Sequence, residues 1–182
     1  MKRASAVVAG RTAKLVGDLF EDWIDGQHEM AQRLGILAHI AHNQAQSKIV
    51  KGRLSYVAKG VADYTGMLVG GTTLAAEAKS TALKSLARKA IKKKQADQLD
   101  AVARAGGHAF LLVEFRTKTV PLRLRFAVPW LEIPWTVKRS AQSVSAEALQ
   151  KWKIEPGTCY LSRVHPGGPA VGVRKGRVYA RD

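Results

Sequence analysis

The sequence predicts a mixed α/β fold, a central sheet flanked by helices, on three observations. Two strand-like runs, 61–69 and 72–79, are separated by Gly70-Gly71, the residues a tight hairpin needs. An amphipathic helical pattern precedes them. A second helical pattern follows and leads through Gly106-Gly107 into an apolar strand, 109–115.

Each element has its own justification. From Gly17, the residues Leu19, Phe20, Trp23, Ile24, Met30 and Leu34 recur at helical spacing with Asp18, Glu21, Asp22 and Asp25 between them, giving a first helix that stops near Gly35. Residues 36–42 read as a short buried strand. Residues 43–60 are polar and basic, an excursion from the core that holds Lys48, Lys51, Arg53 and Lys59. After the hairpin a helix is expected from Lys84 to Arg104, with Leu86, Ile91, Leu99 and Val102 on its apolar side and Gly106-Gly107 ending it. The strand 109–115 is apolar enough to be central. In the next, 122–128, Leu122, Leu124 and Phe126 alternate with Arg123 and Arg125, and Pro129 stops it. Beyond lie Trp130, Trp135 and a short helix over 145–152 with Ser145 as N-cap. The Gly/Pro-rich basic tail, 153–182, is expected to be loosely ordered or ordered only on a nucleic acid.

Charge decides the class of partner. The 182 residues carry 30 Lys and Arg against 14 Asp and Glu, a net charge of +16, and 46% of them are hydrophobic, enough for a packed core. The excess is not a detachable tail: residues 1–60 hold 9 bases and 5 acids, 61–120 hold 10 and 5, and 121–182 hold 11 and 4. A polyanion is the default partner, since each phosphate neutralised releases counterions. One cysteine, Cys159, excludes a disulfide framework or a cysteine-rich zinc site. No run reaches the ~18–20 apolar residues of a membrane span, and the first residues lack a signal peptide's apolar region. A cytoplasmic protein with no membrane partner is expected.

The chemistry gathers in the hairpin. Period-two alternation puts Glu77 and Lys79 on one strand face. A two-residue Gly70-Gly71 loop would set Asp63 opposite Ala78, on the wrong face. A three-residue loop, Val69-Gly70-Gly71, built as a type I turn with Gly71 in the bulge position, sets Asp63 opposite Glu77. Facing Cβ atoms are then only ~4.5–5.5 Å apart, and the two carboxylates repel unless a cation lies between them. Hard oxygens suit Mg²⁺ or Mn²⁺ with waters retained. Such an ion polarises a phosphodiester and acidifies a bound water, while Lys79 positions the nucleophile or neutralises charge. From spacing alone the alternative stays open: two strand-end carboxylates with Lys79 as ion-pair partner. His39 and His42, three apart on a strand, face opposite sides and do not share a metal. The tryptophans Trp130, Trp135 and Trp152 are read as core or dimer packing before base stacking.

In order, Gly17-x-x-x-Glu21-x-x-Ile24 on a helix, a strand, Asp63-Tyr-Thr-Gly66, Glu77-Ala-Lys79, a helix with Gln95, and Gly106-Gly107-His-Ala-Phe-Leu-Leu-Val-Glu-Phe115 resemble the Holliday junction resolvases of the RecU and Hjc types. These belong to the PD-(D/E)xK nuclease superfamily. The resemblance covers residues 14–128, with a fainter echo in 144–149, and Ala62 stands where the superfamily name has proline, a variation RecU-type enzymes tolerate. It implies a restriction-endonuclease-like sheet forming a nuclease core, 1–128, with a C-terminal extension, 129–182, for dimer or DNA contact. It implies that Asp63, Glu77 and the Ala78 carbonyl hold Mg²⁺, with Mn²⁺ as substitute. Lys79 would serve the attacking water, Glu21 would complete the acidic cluster, and Gln95 matches the family's glutamine after the motif. Residues 43–60 fall where RecU-type enzymes carry a stalk, here shorter, so Lys48, Lys51, Arg53 and Lys59 are expected at the crossover of a four-way DNA junction, while Lys92, Lys93 and Lys94 grip an arm. The implied protein is a homodimer making symmetric paired nicks in branched DNA, in the cytoplasm of a bacterium or a phage-infected host, at the nucleoid. Two other readings share the residues: another PD-(D/E)xK nuclease of repair, flap or restriction type, and a non-catalytic junction-binding protein.

Overall fold

The computed structural model describes residues 2–43, 47–50, 53–56, 61–116, 123–138, 140–163, 170–174 and 177–181. A helix α1 (Lys2–Arg33) leads into β1 (Leu37–His42), a ribbon of β2 (Ser47–Val50) and β3 (Arg53–Tyr56), and then the hairpin of β4 (Tyr64–Leu68) and β5 (Thr73–Thr81). Next come β6 (Ser85–Ala87), α2 (Lys93–Arg104), β7 (His108–Arg116), β8 (Arg123–Pro129), α3 (Pro134–Val137), β9 (Ser143–Ser145) and a terminal ribbon of β10 (Ala170–Arg174) and β11 (Arg177–Arg181). The five-stranded sheet runs β1-β4-β5-β7-β8. Only β5 and β7 are parallel, joined through α2; every other pairing in the sheet is antiparallel. This is the mixed sheet flanked by helices that the sequence predicts. No helix among the described residues is long and apolar enough to cross a membrane.

Alternation along the strands sorts the core into two layers. Leu74, Ala76 and Ala78 of β5, with Tyr64, Phe110 and Leu112, meet Phe20 and Ile24 of α1 on one face. Ala75, Leu111 and Val113 meet Leu99 of α2 on the other. Each fully buried Leu or Phe here contributes roughly 1.5–3 kcal/mol. Residues beyond 128 complete both layers: Trp130, Ile133, Trp135 and Leu149 join the α2 side, with Trp152 packed against them, and Ile154, Tyr160 and Leu161 join the α1 side. The expectation of loose order from residue 153 therefore fails through 161, because these apolar side chains cover α1.

Three further expectations are corrected. The first helix begins at Lys2, well before Gly17. The segment from Lys84 is not helical until Lys93: Leu86 pairs with Val144 across β6 and β9, and a 3-10 turn, Arg88–Ala90, follows. Like charges explain this, since Lys84/Arg88, Arg88/Lys92 and Lys89/Lys93 would all stand four apart on one helix. The short segment after Ser145 is a 3-10 helix, Glu147–Trp152, though Ser145 Oγ does accept the Ala148 N–H at 3.4 Å. At the end of α2, Gly106 (φ +81°) donates to the Ala103 carbonyl and Gly107 to the Val102 carbonyl, the paired bonds of a Schellman cap.

Candidate active site

The hairpin fixes the site. Tyr64 pairs with Ala76 and Met67 with Thr73, the register of a three-residue loop, Val69-Gly70-Gly71. The turn itself differs from expectation: Gly70 has φ +97° and the Leu68 carbonyl accepts the Gly71 N–H at 3.0 Å, so positive φ at the third position makes a type II turn. Register is unchanged, and Asp63 falls opposite Glu77, whose Oε2 accepts the Asp63 N–H at 3.2 Å.

Both carboxylates are buried, Asp63 at 2% exposure and Glu77 at 0%. Asp63 Oδ2 accepts the Ala78 N–H at 2.9 Å, locking the strands together behind the acids. The Lys79 ammonium touches Glu77 Oε1, lies 3.0 Å from the Ala78 carbonyl oxygen and stands 3.8 Å from Asp63 Oδ2. One cation thus contacts the three oxygens that the resemblance assigns to a metal. Gln95 arrives from α2 with its amide orientation fixed at both ends: Oε1 accepts the Lys92 N–H at 3.0 Å, and Nε2 donates to Glu77 Oε1 at 2.6 Å. Burial raises the Glu77 carboxyl to about 7; the Lys79 ammonium opposes the rise and the Asp63 carboxylate adds to it. Two buried acids meet at the Lys79 ammonium. Hard oxygen donors gathered this closely fit Mg²⁺ or Mn²⁺. Among the described residues no three His, Cys, Asp or Glu side chains form a metal cluster, so an ion here would lean on the Ala78 carbonyl and retained waters.

Glu21 stands in the α1 layer, beside the Tyr64 that follows Asp63. Its Oε2 lies 3.1 Å from His42 Nε2, and its main-chain carbonyl accepts the Tyr64 hydroxyl at 3.3 Å. The other His42 nitrogen, Nδ1, lies 3.1 Å from Asp25 Oδ2, and the ring stacks on Tyr64 with centroids 4.4 Å apart. His42 and Asp25 had no site role in the sequence reading; the available signal was that Glu21 and Asp25, one helical turn apart, share the face that meets β1. Asn43 and Gln98 were also missed. Asn43 Nδ2 donates to the Ala62 carbonyl and to Thr65 Oγ1, both at 3.0 Å, and Gln98 Oε1 accepts the Ala62 N–H, which pins the backbone just before Asp63.

Of the expected DNA contacts, Lys92, Lys93 and Lys94 are exposed at the start of α2, where Lys93 pairs with Asp97 at 2.7 Å. Lys48 and Arg53 lie on the strands of the β2/β3 ribbon, and Lys51 and Lys59 fall outside the described residues.

Comparison with known proteins follows the same line. No curated protein is similar enough in sequence to count as a relative. Among solved structures, the chain is similar to a 1.6 Å structure of Archaeoglobus fulgidus Hjc, a Holliday junction resolvase from an archaeal hyperthermophile. The identity is 15%, with 78% of this chain and 92% of that one covered, at a TM-score of 0.44. The family model for recombination protein U matches residues 35–164, a span that includes Asp63, Glu77, Lys79 and Gln95. The chain belongs to the RecU family of Holliday junction resolvases.

Proposed function

We propose that the chain acts as a homodimeric, divalent-metal-dependent endonuclease that resolves four-way DNA junctions by symmetric paired nicks in the cytoplasm. The observation that carries this reading is the meeting of Asp63, Glu77 and the Ala78 carbonyl on a single cationic group. Bound there, Mg²⁺ or Mn²⁺ would polarise the scissile phosphate and lower the pKa of a bound water. The chain's own residues do the rest. Asp63 and Glu77 supply the negative oxygens, and the bond from Gln95 holds the Glu77 carboxylate in one orientation. Lys79, on the same strand face, orients the attacking water and balances charge as the phosphate becomes more negative. Glu21, held by His42 in the α1 layer, is the acid the first helix would contribute to the cluster. Lys48, Lys51, Arg53 and Lys59 neutralise converging phosphates at the crossover, and Lys92, Lys93 and Lys94 hold an arm without reading bases. Two-fold symmetry presents two equivalent sites to the two strands that must be cut.

The test is a panel of synthetic substrates: a fixed four-way junction, a flap and a plain duplex, each with Mg²⁺. Paired symmetric nicks on the junction alone are expected. Preferential flap or duplex cutting would assign the site to another nuclease class, and junction binding without cleavage in either metal would make the protein a binder.

A further inference from the structure

At the end of the sheet where the hydrolytic residues lie, but on its α1 face, a second charged group is built from β5, β7 and β8. Glu114 is completely buried. It accepts Ser80 Oγ on Oε1 at 3.1 Å and Arg125 Nε on Oε2 at 3.1 Å, and Arg123 Nη1 stands 3.7 Å from that same Oε2. The Arg125 guanidinium also lies 4.1 Å over the Trp23 ring, so both faces of its position are used. Arg116 is the cross-strand partner of Arg123, as Glu114 is of Arg125. Directly opposed like charges on neighbouring strands repel. Among the described residues Arg116 Nε is buried without a hydrogen-bond partner, while the Arg123 side chain is 39% exposed. Two guanidinium groups thus meet one carboxylate, and a third, Arg116, stands across the strand pair from Arg123 with its Nε unused.

We propose that Arg116 and Arg123, backed by the Glu114–Arg125 pair, seat a backbone phosphate of a DNA arm, on the face of the sheet opposite the hydrolytic residues. The chemistry is that of a phosphodiester oxygen pair meeting two guanidinium forks. Placement favours DNA over a small anion: Ser80, which holds Glu114, directly follows Lys79 in β5, so a strand at the active site passes this end of the sheet. The inference rests on the reading of branched DNA as substrate.

The test is fluorescence anisotropy of a fixed four-way junction in EDTA, titrated at several salt concentrations with the full chain, Arg123→Gln and the double variant Arg116→Met/Arg123→Gln. At about 0.1 M salt the single variant is expected to bind about 5-fold more weakly and the double about 10-fold or more. The double variant should also lower the slope of log affinity against log salt by about 1, one phosphate contact. An unchanged slope with affinity within about twofold of wild type would overturn the proposal, as would a lowered melting temperature with an unchanged slope, the mark of a purely structural cluster. A wild-type chain with no preference for the junction would overturn the functional reading itself. Wild-type cleavage alongside an unaltered slope in the double variant would remove this inference alone.

Discussion

Glu77 on β5 and Glu114 on β7 are both fully shielded from solvent, and they keep opposite company. Glu77 faces another carboxylate, Asp63, and shares one ammonium with it. Glu114 faces a hydroxyl and two guanidinium groups. Burial is the same in the two places; what differs is the nearest neighbour. Ringed by guanidinium groups, Glu114 is an anchor of the fold. Set against a second carboxylate, Glu77 belongs to a cluster of hard oxygens fit to receive a metal ion.

The largest expected effect comes from breaking the anchor. Glu114→Gln takes the carboxylate from a wholly buried position and from the largely buried Arg125 guanidinium, a loss of about 3–5 kcal/mol. Thermal unfolding should show it as a fall of roughly 6–20 °C. The matching change at the other site should act the other way. Because burial raises the Glu77 carboxyl to about 7, its contribution is fully present below the unfolded value near 4.5 and is lost as pH rises through 7. Glu77→Gln should therefore stabilise the metal-free chain at pH 8, by up to about 3 kcal/mol, while abolishing cleavage. Chemical denaturation at pH 5 and pH 8 checks this, since the gain should vanish at the lower pH.

His28 sharpens that comparison with the opposite sign. Burial lowers its pKa to about 4 against a partial upward pull from Asp25, and its ring meets the Tyr160 hydroxyl at 2.7 Å. The unfolded chain binds the proton more tightly, so this stability is complete above about 6.5 and is lost as pH falls toward 4, about 3 kcal/mol in all. In Glu77→Gln the slope that opposes His28 is gone, and stability should climb more steeply from pH 4 to 6.5 than in wild type. Next in size, Mg²⁺ at a hundred times its dissociation constant should stabilise the wild type by about 2.7 kcal/mol and leave Glu77→Gln unmoved in a thermal melt at pH 8. The smallest change is Gln95→Leu, which strips a donor from Glu77 and an acceptor from the Lys92 N–H. A loss of about 1–3 kcal/mol is expected, with slower junction cleavage, read by denaturant melts and single-turnover rates.

Much of this contrast was legible in the chain. The Asp63/Glu77 pairing followed from counting loop residues, because side-chain period two turns register into chemistry. The turn type did not follow, since two adjacent glycines permit more than one turn with the same register. The helix over Leu86 and Ile91 was misread because their spacing suits a helix, whereas Val144, far along the chain, claims Leu86 for a strand. Long-range partners also explain what was missed at the site. His42, Asn43 and Gln98 act through Glu21, Ala62 and Thr65, and no local pattern announces such contacts. Gln95 was visible only through resemblance, and its helix-capping geometry supplies the physical reason for its place.

The most direct measurement is cleavage of a fixed four-way DNA junction with and without Mg²⁺, wild type beside Asp63→Asn. Symmetric paired nicks that disappear in EDTA and in the variant are the predicted result. Nicking that persists in Asp63→Asn, or a junction bound tightly by wild type and left whole in both Mg²⁺ and Mn²⁺, would contradict the assignment of these buried carboxylates to metal-dependent resolution.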